Sequence, residues 1–131
     1  MKTFKFGETK VYLHKNDLPN SLKFPGEIAI DTETTGLNLV RDRLCLIQIA
    51  FSENESHLVK FDNSFFKKKK NPQNLVSLLM DEKIKKIFHY ARFDVAILKK
   101  SFDFYCKNLF CTKIASKLVR TYTDKHGLKD L

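Results

Sequence analysis

Asp31 and Glu33 stand one residue apart at the end of an apolar run, in EIAIDTETTGL (27–37). Alternate side chains of an extended strand share a face, so both carboxylates project together while Thr32 faces the other way. Like charges this close raise each other's pKa unless something positive sits between them. A hard divalent cation, Mg²⁺ or Mn²⁺, answers that need through carboxylate oxygens. The same spacing also fits a strand end fraying into solvent, because short motifs match often by chance. A third acid, Asp94, falls in FHYARFDVAIL (88–98), in the first turn of an otherwise apolar helix. It either complements the helix dipole there or, surrounded by Phe93, Val95, Ala96, Ile97 and Leu98, is buried and in need of a partner or a metal.

The elements that must position these acids follow from pattern. KVYLHKNDLP (10–19) is expected as a short edge strand or extended arm stopped by Pro19, and residues 27–33 as a central strand with a turn at Gly36. RLCLIQIAF (43–51) and SHLVKF (56–61) are expected to pair as a hairpin across a four- or five-residue loop. NSFFKKKKNPQ (63–73) is expected as a loop carrying the charge run. Asn71 as N-cap and Pro72 as first helical residue start a helix with Leu75, Val76, Leu78 and Leu79 on its apolar stripe. KKIFHYA (85–91) is a strand, RFDVAILKK (92–100) a helix, NLFCT (108–112) a strand and KIASKLV (113–119) a helix. HGLKDL (126–131) starts one more. Strands and helices in this order describe an α/β domain, a mixed sheet with helices packed against it.

The totals are consistent with one domain. The chain has 131 residues, 43% hydrophobic and 30% charged, enough for a single core. Lys and Arg outnumber Asp and Glu by 24 to 15, giving a net charge of +9. Such a field favours polyanions, nucleic acid above all, although a Lys-, Asn-, Ile- and Phe-rich composition bias gives the same skew. The lysines of FFKKKK (65–70), with Lys83, Lys85 and Lys86, are either phosphate contacts or a solvated surface. Cys45, Cys106 and Cys111 form no C-x-x-C pair, and Cys45 is expected in the core. No run approaches a membrane span, and the polar start MKTFKFGETK excludes a signal peptide, so the expected location is cytoplasmic.

IAIDTETTGL closely resembles the first motif of the DEDD 3′→5′ exonucleases, and IFHYARFDVAIL resembles their second. DRLCLIQIA, CTKIASKLV and HGLKDL are similar to the flanking text of one branch, ribonuclease D, and the likeness runs from about residue 11 to the end. The resemblance implies a ribonuclease H-like fold, a mixed five-stranded sheet whose first three strands are antiparallel, with helices on both faces. It implies two divalent metal ions, Mg²⁺ or Mn²⁺: Asp31 bridging both, Glu33 completing the first shell and Asp94 holding the second. Thr34 and the backbone at Gly36 would meet the terminal nucleotide, Leu37 would wedge against its base, and His89 and Phe93 would line the same pocket. Leu37 and Phe93 as plain core, and His89 as a hydrogen-bonded strand-end histidine, are the alternatives.

The activity implied is removal of 5′-mononucleotides from RNA 3′ ends, such as those of tRNA precursors, without membrane or obligate protein partner. The family's third motif, with a fourth acid, follows the HGLKDL region, and the sequence stops at Leu131. His126 and Asp130 have the formal spacing of that motif, but HGLKDL aligns with the segment before it. The expectation is therefore the N-terminal part of an exonuclease domain, with a weakly held second ion and apolar surface prone to self-association. A DNA exonuclease of the same fold and an inactive nucleic-acid-binding remnant are the rival expectations.

Overall fold

The computed structural model describes residues 1–68 and 70–131. Seven strands form one mixed sheet: β1 (Lys2–Phe6), β2 (Thr9–Lys15), β3 (Glu27–Thr34), β4 (Leu44–Ser52), β5 (Glu55–Lys60), β6 (Lys85–Phe88) and β7 (Leu109–Cys111), in the order β1-β2-β5-β4-β3-β6-β7. The helices are α1 (Asn63–Lys67), α2 (Gln73–Met80), α3 (Ala91–Phe102) and α4 (Thr112–Val119), and a 3₁₀ turn follows at Leu128–Asp130.

The expected ribonuclease H-like sheet is its centre. β3, β4 and β5 run antiparallel in succession, β6 lies parallel to β3 and β7 parallel to β6. Two further strands extend it. The expected edge strand is β2, parallel to β5, and β1, not anticipated from sequence, pairs antiparallel with β2. Gly7 makes the tight turn between them at φ +60°, which costs a glycine little.

Strand alternation sorts the sheet into two faces. Ile28, Ile30, Ile47, Ile49, Val59 and Phe88 are buried and join Leu75, Leu78 and Leu79 of α2 and Ile97, Leu98 and Phe102 of α3 in one core. Ala29, Asp31 and Glu33 alternate with them and are exposed. The acids thus sit on a strand anchored by its other face.

Several local expectations change. The β4–β5 connection is shorter than expected, two residues with a bulge near Ala50 and Ser52. Within the expected charged loop, Asn63–Lys67 is helical because Phe65 and Phe66 pack on Phe61 and Phe102, the Phe61 ring centres lying 5.5 and 5.8 Å away. Lys67, Lys68 and Lys70 are exposed; Lys69 lies outside the described residues.

Asn71 does not cap α2, whose N-cap is Pro72. Asn71 turns to the Phe102 carbonyl, and the Asp17 carboxylate accepts from the N–H groups of Asn74 and Leu75 at 3.1 and 2.9 Å. Lys86 is not surface: it points into the core beside Ile28, fully buried, and its ammonium donates to the Asp81 carbonyl at the end of α2. Cys45 is half-buried rather than core. No helix among the described residues is long and apolar enough to cross a membrane.

Candidate functional site

Asp31 and Glu33 occupy the exposed face near the end of β3, as the alternation requires. Asp94 approaches Asp31 from the first turn of α3 and is only 5% exposed. Thr32, on the inner face, donates its hydroxyl to Asp94 Oδ1 at 2.6 Å, tying the helix start to the strand. Burial pushes the Asp94 carboxyl up to about 6; the Thr32 hydrogen bond opposes the rise and the nearby charge of Asp31 adds to it. A buried acid made less acidic beside a second acid marks a functional-site candidate with a physical cause. Among the described residues none of the three acids forms an ion pair. Nor do any three Asp, Glu, His or Cys side chains there gather closely enough to hold an ion. The structure therefore brings Asp31, Thr32 and Asp94 together and leaves Glu33 one strand step away.

Beside Asp31 lies a cleft of about 350 Å³, lined by Ala29, Gln48, Phe88, His89, Thr112 and Leu128 among others. That volume falls within the range of small-molecule sites. Gln48 sits directly across from Asp31 on β4, the one polar side chain of an apolar run. His89 follows β6, half-buried, with Nδ1 2.9 Å from the Thr112 hydroxyl. The next residue, Tyr90, takes a left-handed backbone (φ 62°) at the head of α3, with the Lys113 ammonium 4.2 Å above its ring. Such a conformation is uncommon for a non-glycine residue and turns the chain sharply from strand into helix. Phe93 is half-buried and stands outside the main core.

The loop after β3 is built around Asp42. Its carboxylate is 6% exposed and accepts from the Asn38 N–H, the Thr35 hydroxyl and the Arg41 guanidinium. Arg41 and the Asn38 N–H hold it below the usual carboxylate range. Gly36 leaves the space it fills: a Cβ there would lie 2.4 Å from Asp42 Oδ2. Thr34 spends its hydroxyl on the Gly36 carbonyl at 2.7 Å, and Lys100 of α3 donates to the carbonyls of Val40 and Asp42. This frame presents Leu37 at 84% exposure, so Leu37 is not core.

Sequence reasoning missed Thr112, Gln48 and Asp42. One polar residue inside the apolar run 44–51 was a visible signal for Gln48. Thr112 and Asp42 carry none, because only tertiary proximity gives them partners. His126 and Asp130 engage locally, with Ser116 and the Gly127 N–H respectively.

Comparison with known proteins places residues 13–131 on the family model described as 3′-5′ exonuclease. Among solved structures, Brucella melitensis NrnC bound to pGG is 50% identical, covering 92% of this chain and 57% of its own, with a TM-score of 0.82. The same protein with bound Mg²⁺ gives 50% identity, 92% and 58% coverage and a TM-score of 0.83. Escherichia coli RNase D, an exoribonuclease involved in structured RNA processing, is 26% identical over 70% of this chain and 23% of its own, with a TM-score of 0.55. The chain thus spans a little over half the length of the NrnC structures it matches. No curated protein matches it by sequence.

Proposed function

Because the chain belongs to the 3′-5′ exonuclease family, we propose that it supplies the Asp31–Glu33–Asp94 part of a metal-dependent 3′→5′ exoribonuclease. The observation that carries this reading is Asp94, buried near Asp31, whose own side chain lines a cleft of about 350 Å³. Carboxylate oxygens without an ion-pair partner among the described residues are the donor chemistry that Mg²⁺ and Mn²⁺ take. Because no three acids among the described residues converge on one point, Asp31 with Glu33 would hold one ion and Asp31 with Asp94 the other, consistent with the bound Mg²⁺ of NrnC. When bound, a pair of such ions lowers the pKa of water and stabilises the attacking and leaving oxygens of an in-line displacement.

The chain's own residues do the rest. Thr32 fixes the Asp94 carboxylate, and through it the helix, against β3. Leu37, held out by the Asp42 loop, supplies an apolar face for the terminal base, with Phe93 near Asp94 as a second. The Gly36 backbone, braced by Thr34 and packed against Asp42, would meet the nucleotide through its main-chain groups. His89 lines the cleft where the sugar would lie.

Similarity to NrnC, whose structure holds pGG, makes short 5′-phosphorylated ribonucleotides the first substrate to try. A second reading, longer RNA such as tRNA precursors, is favoured by the likeness to RNase D and by the exposed lysines after α1. Those lysines follow aromatics that pack on Phe102, at the far end of a 12-residue helix from Asp94. Phe102 lies eight positions after Asp94, about 12 Å along the helix, so contact with those lysines would favour a strand that extends beyond the acids. The assay compares pGG, a tRNA precursor and a matched DNA strand with Mg²⁺, for the protein and its Asp31→Ala variant. Release of 5′-mononucleotides that needs Mg²⁺ and Asp31 is expected, with pGG cut fastest. Salt-dependent RNA binding without any shortening would overturn the enzyme reading in favour of an inactive binder, and faster cutting of DNA would replace RNA as substrate.

A further inference from the structure

Thr112 has one hydroxyl proton and two neighbours that compete for it. Its Oγ1 lies 3.2 Å from the Phe88 carbonyl, as donor, and 2.9 Å from His89 Nδ1. A carbonyl can only accept, so the proton goes there, and the oxygen must then accept from His89 Nδ1–H. A neutral imidazole carries one N–H. The other nitrogen, Nε2, has no hydrogen-bond partner among the described residues, and the ring lines the cleft beside Asp31.

We infer that Thr112 is a positioning residue that fixes His89 as the Nδ1–H tautomer, making Nε2 an acceptor for a ribose hydroxyl of the 3′-terminal nucleotide. The inference rests on the nuclease reading above and adds its sugar selectivity. Phosphate oxygens are acceptors only and gain nothing from a bare nitrogen lone pair. A sugar hydroxyl is a donor and does. The 2′-hydroxyl is the group that lets a protein tell RNA from DNA at a given position. Thr112 is well placed to hold the ring because it opens α4 directly after β7, whose pairing with β6 sets Cys111 opposite Phe88. Two adjacent strand ends therefore hold the ring and its partner in register.

Long-range proton–nitrogen spectra of the protein read the tautomer directly. Wild type should show His89 with Nδ1 protonated and Nε2 bare; Thr112→Val should lose that preference and Thr112→Ser should keep it. Binding is then measured, with calcium replacing magnesium so that nothing is cut, for pGG and for its counterparts lacking the terminal 2′- or 3′-hydroxyl. Wild type should bind pGG roughly fivefold tighter than the counterpart lacking the hydroxyl that His89 reads, the worth of one neutral hydrogen bond. Thr112→Val should lose that ratio while still binding the deoxy form, and Thr112→Ser should retain it. An Nε2–H tautomer in wild type, or equal binding of all three ligands, overturns the inference. Equal binding leaves the nuclease proposal standing; no binding by any of them removes both. The wild-type measurements decide the matter even where the valine variant fails to fold.

Discussion

Replacing Asp94 by Asn should stabilise the protein at neutral pH, and by an amount that depends on pH in a defined way. The carboxyl sits at about 6 in the fold against 3.8 when free. Its folded pKa is raised, so between those values the native state binds more protons than the unfolded chain. Stability therefore falls as pH climbs from about 4 to about 6, and above that the ionised acid costs ~3 kcal/mol. Asparagine cannot ionise and still offers an oxygen to the Thr32 hydroxyl, now 2.6 Å from Oδ1. Urea unfolding of both proteins at pH 4.5 and 7.5 isolates this group, because titrations common to both cancel in the difference. The advantage of the variant should grow by ~2 kcal/mol between the two pH values. Saturating Mg²⁺ should raise the wild-type midpoint at pH 7.5 and leave that of the variant nearly unmoved. A difference that stays constant with pH, or a variant less stable throughout, would refute the claim that Asp94 is held ionised at a cost in this fold.

Other expectations follow from the same contacts. Gly36→Ala should lower the urea midpoint by ~1–3 kcal/mol equivalent, since the new methyl meets a carboxylate locked by three donors. Asp17→Ala should cost ~1–2 kcal/mol by unsatisfying the start of α2, whereas Asn71→Ala should leave that helix end capped; thermal melts of both variants check the contrast. Leu37→Ala should change stability by under ~0.5 kcal/mol, being at an exposed site, yet weaken binding of pGG measured by calorimetry. Iodoacetamide followed by mass spectrometry should label Cys111 before Cys106. Burial pushes the Cys106 thiol up to about 11; it pushes Cys111 up too, but N–H groups of Ala91, Ile114, Lys113 and Tyr90 outweigh it and hold that thiol below its ordinary value.

Much of this protein was determined by local pattern. The alternation through IAIDTET set which face of β3 is buried and so made Asp31 and Glu33 project together. The apolar spacing after Pro72 and around Asp94 set α2 and α3, and the motif text gave the mixed sheet with its antiparallel start. These features depend on residues close in the chain, where periodicity is a physical constraint. What needed the tertiary structure are partnerships between distant residues. Asp17 caps a helix that begins 56 positions on, because the loop before β3 folds back over it. Lys86 is polar in sequence yet buried, because the end of α2 brings a carbonyl to its ammonium. Phe102 turns a lysine-rich loop into a helix by offering its aromatics a surface. Thr112 became a neighbour of His89 only through the parallel pairing of β6 and β7. In each case an isolated polar or aromatic side chain has no preferred partner until packing supplies one, and the raised proton affinity of Asp94 arises the same way, from desolvation by a core that the helix alone does not contain.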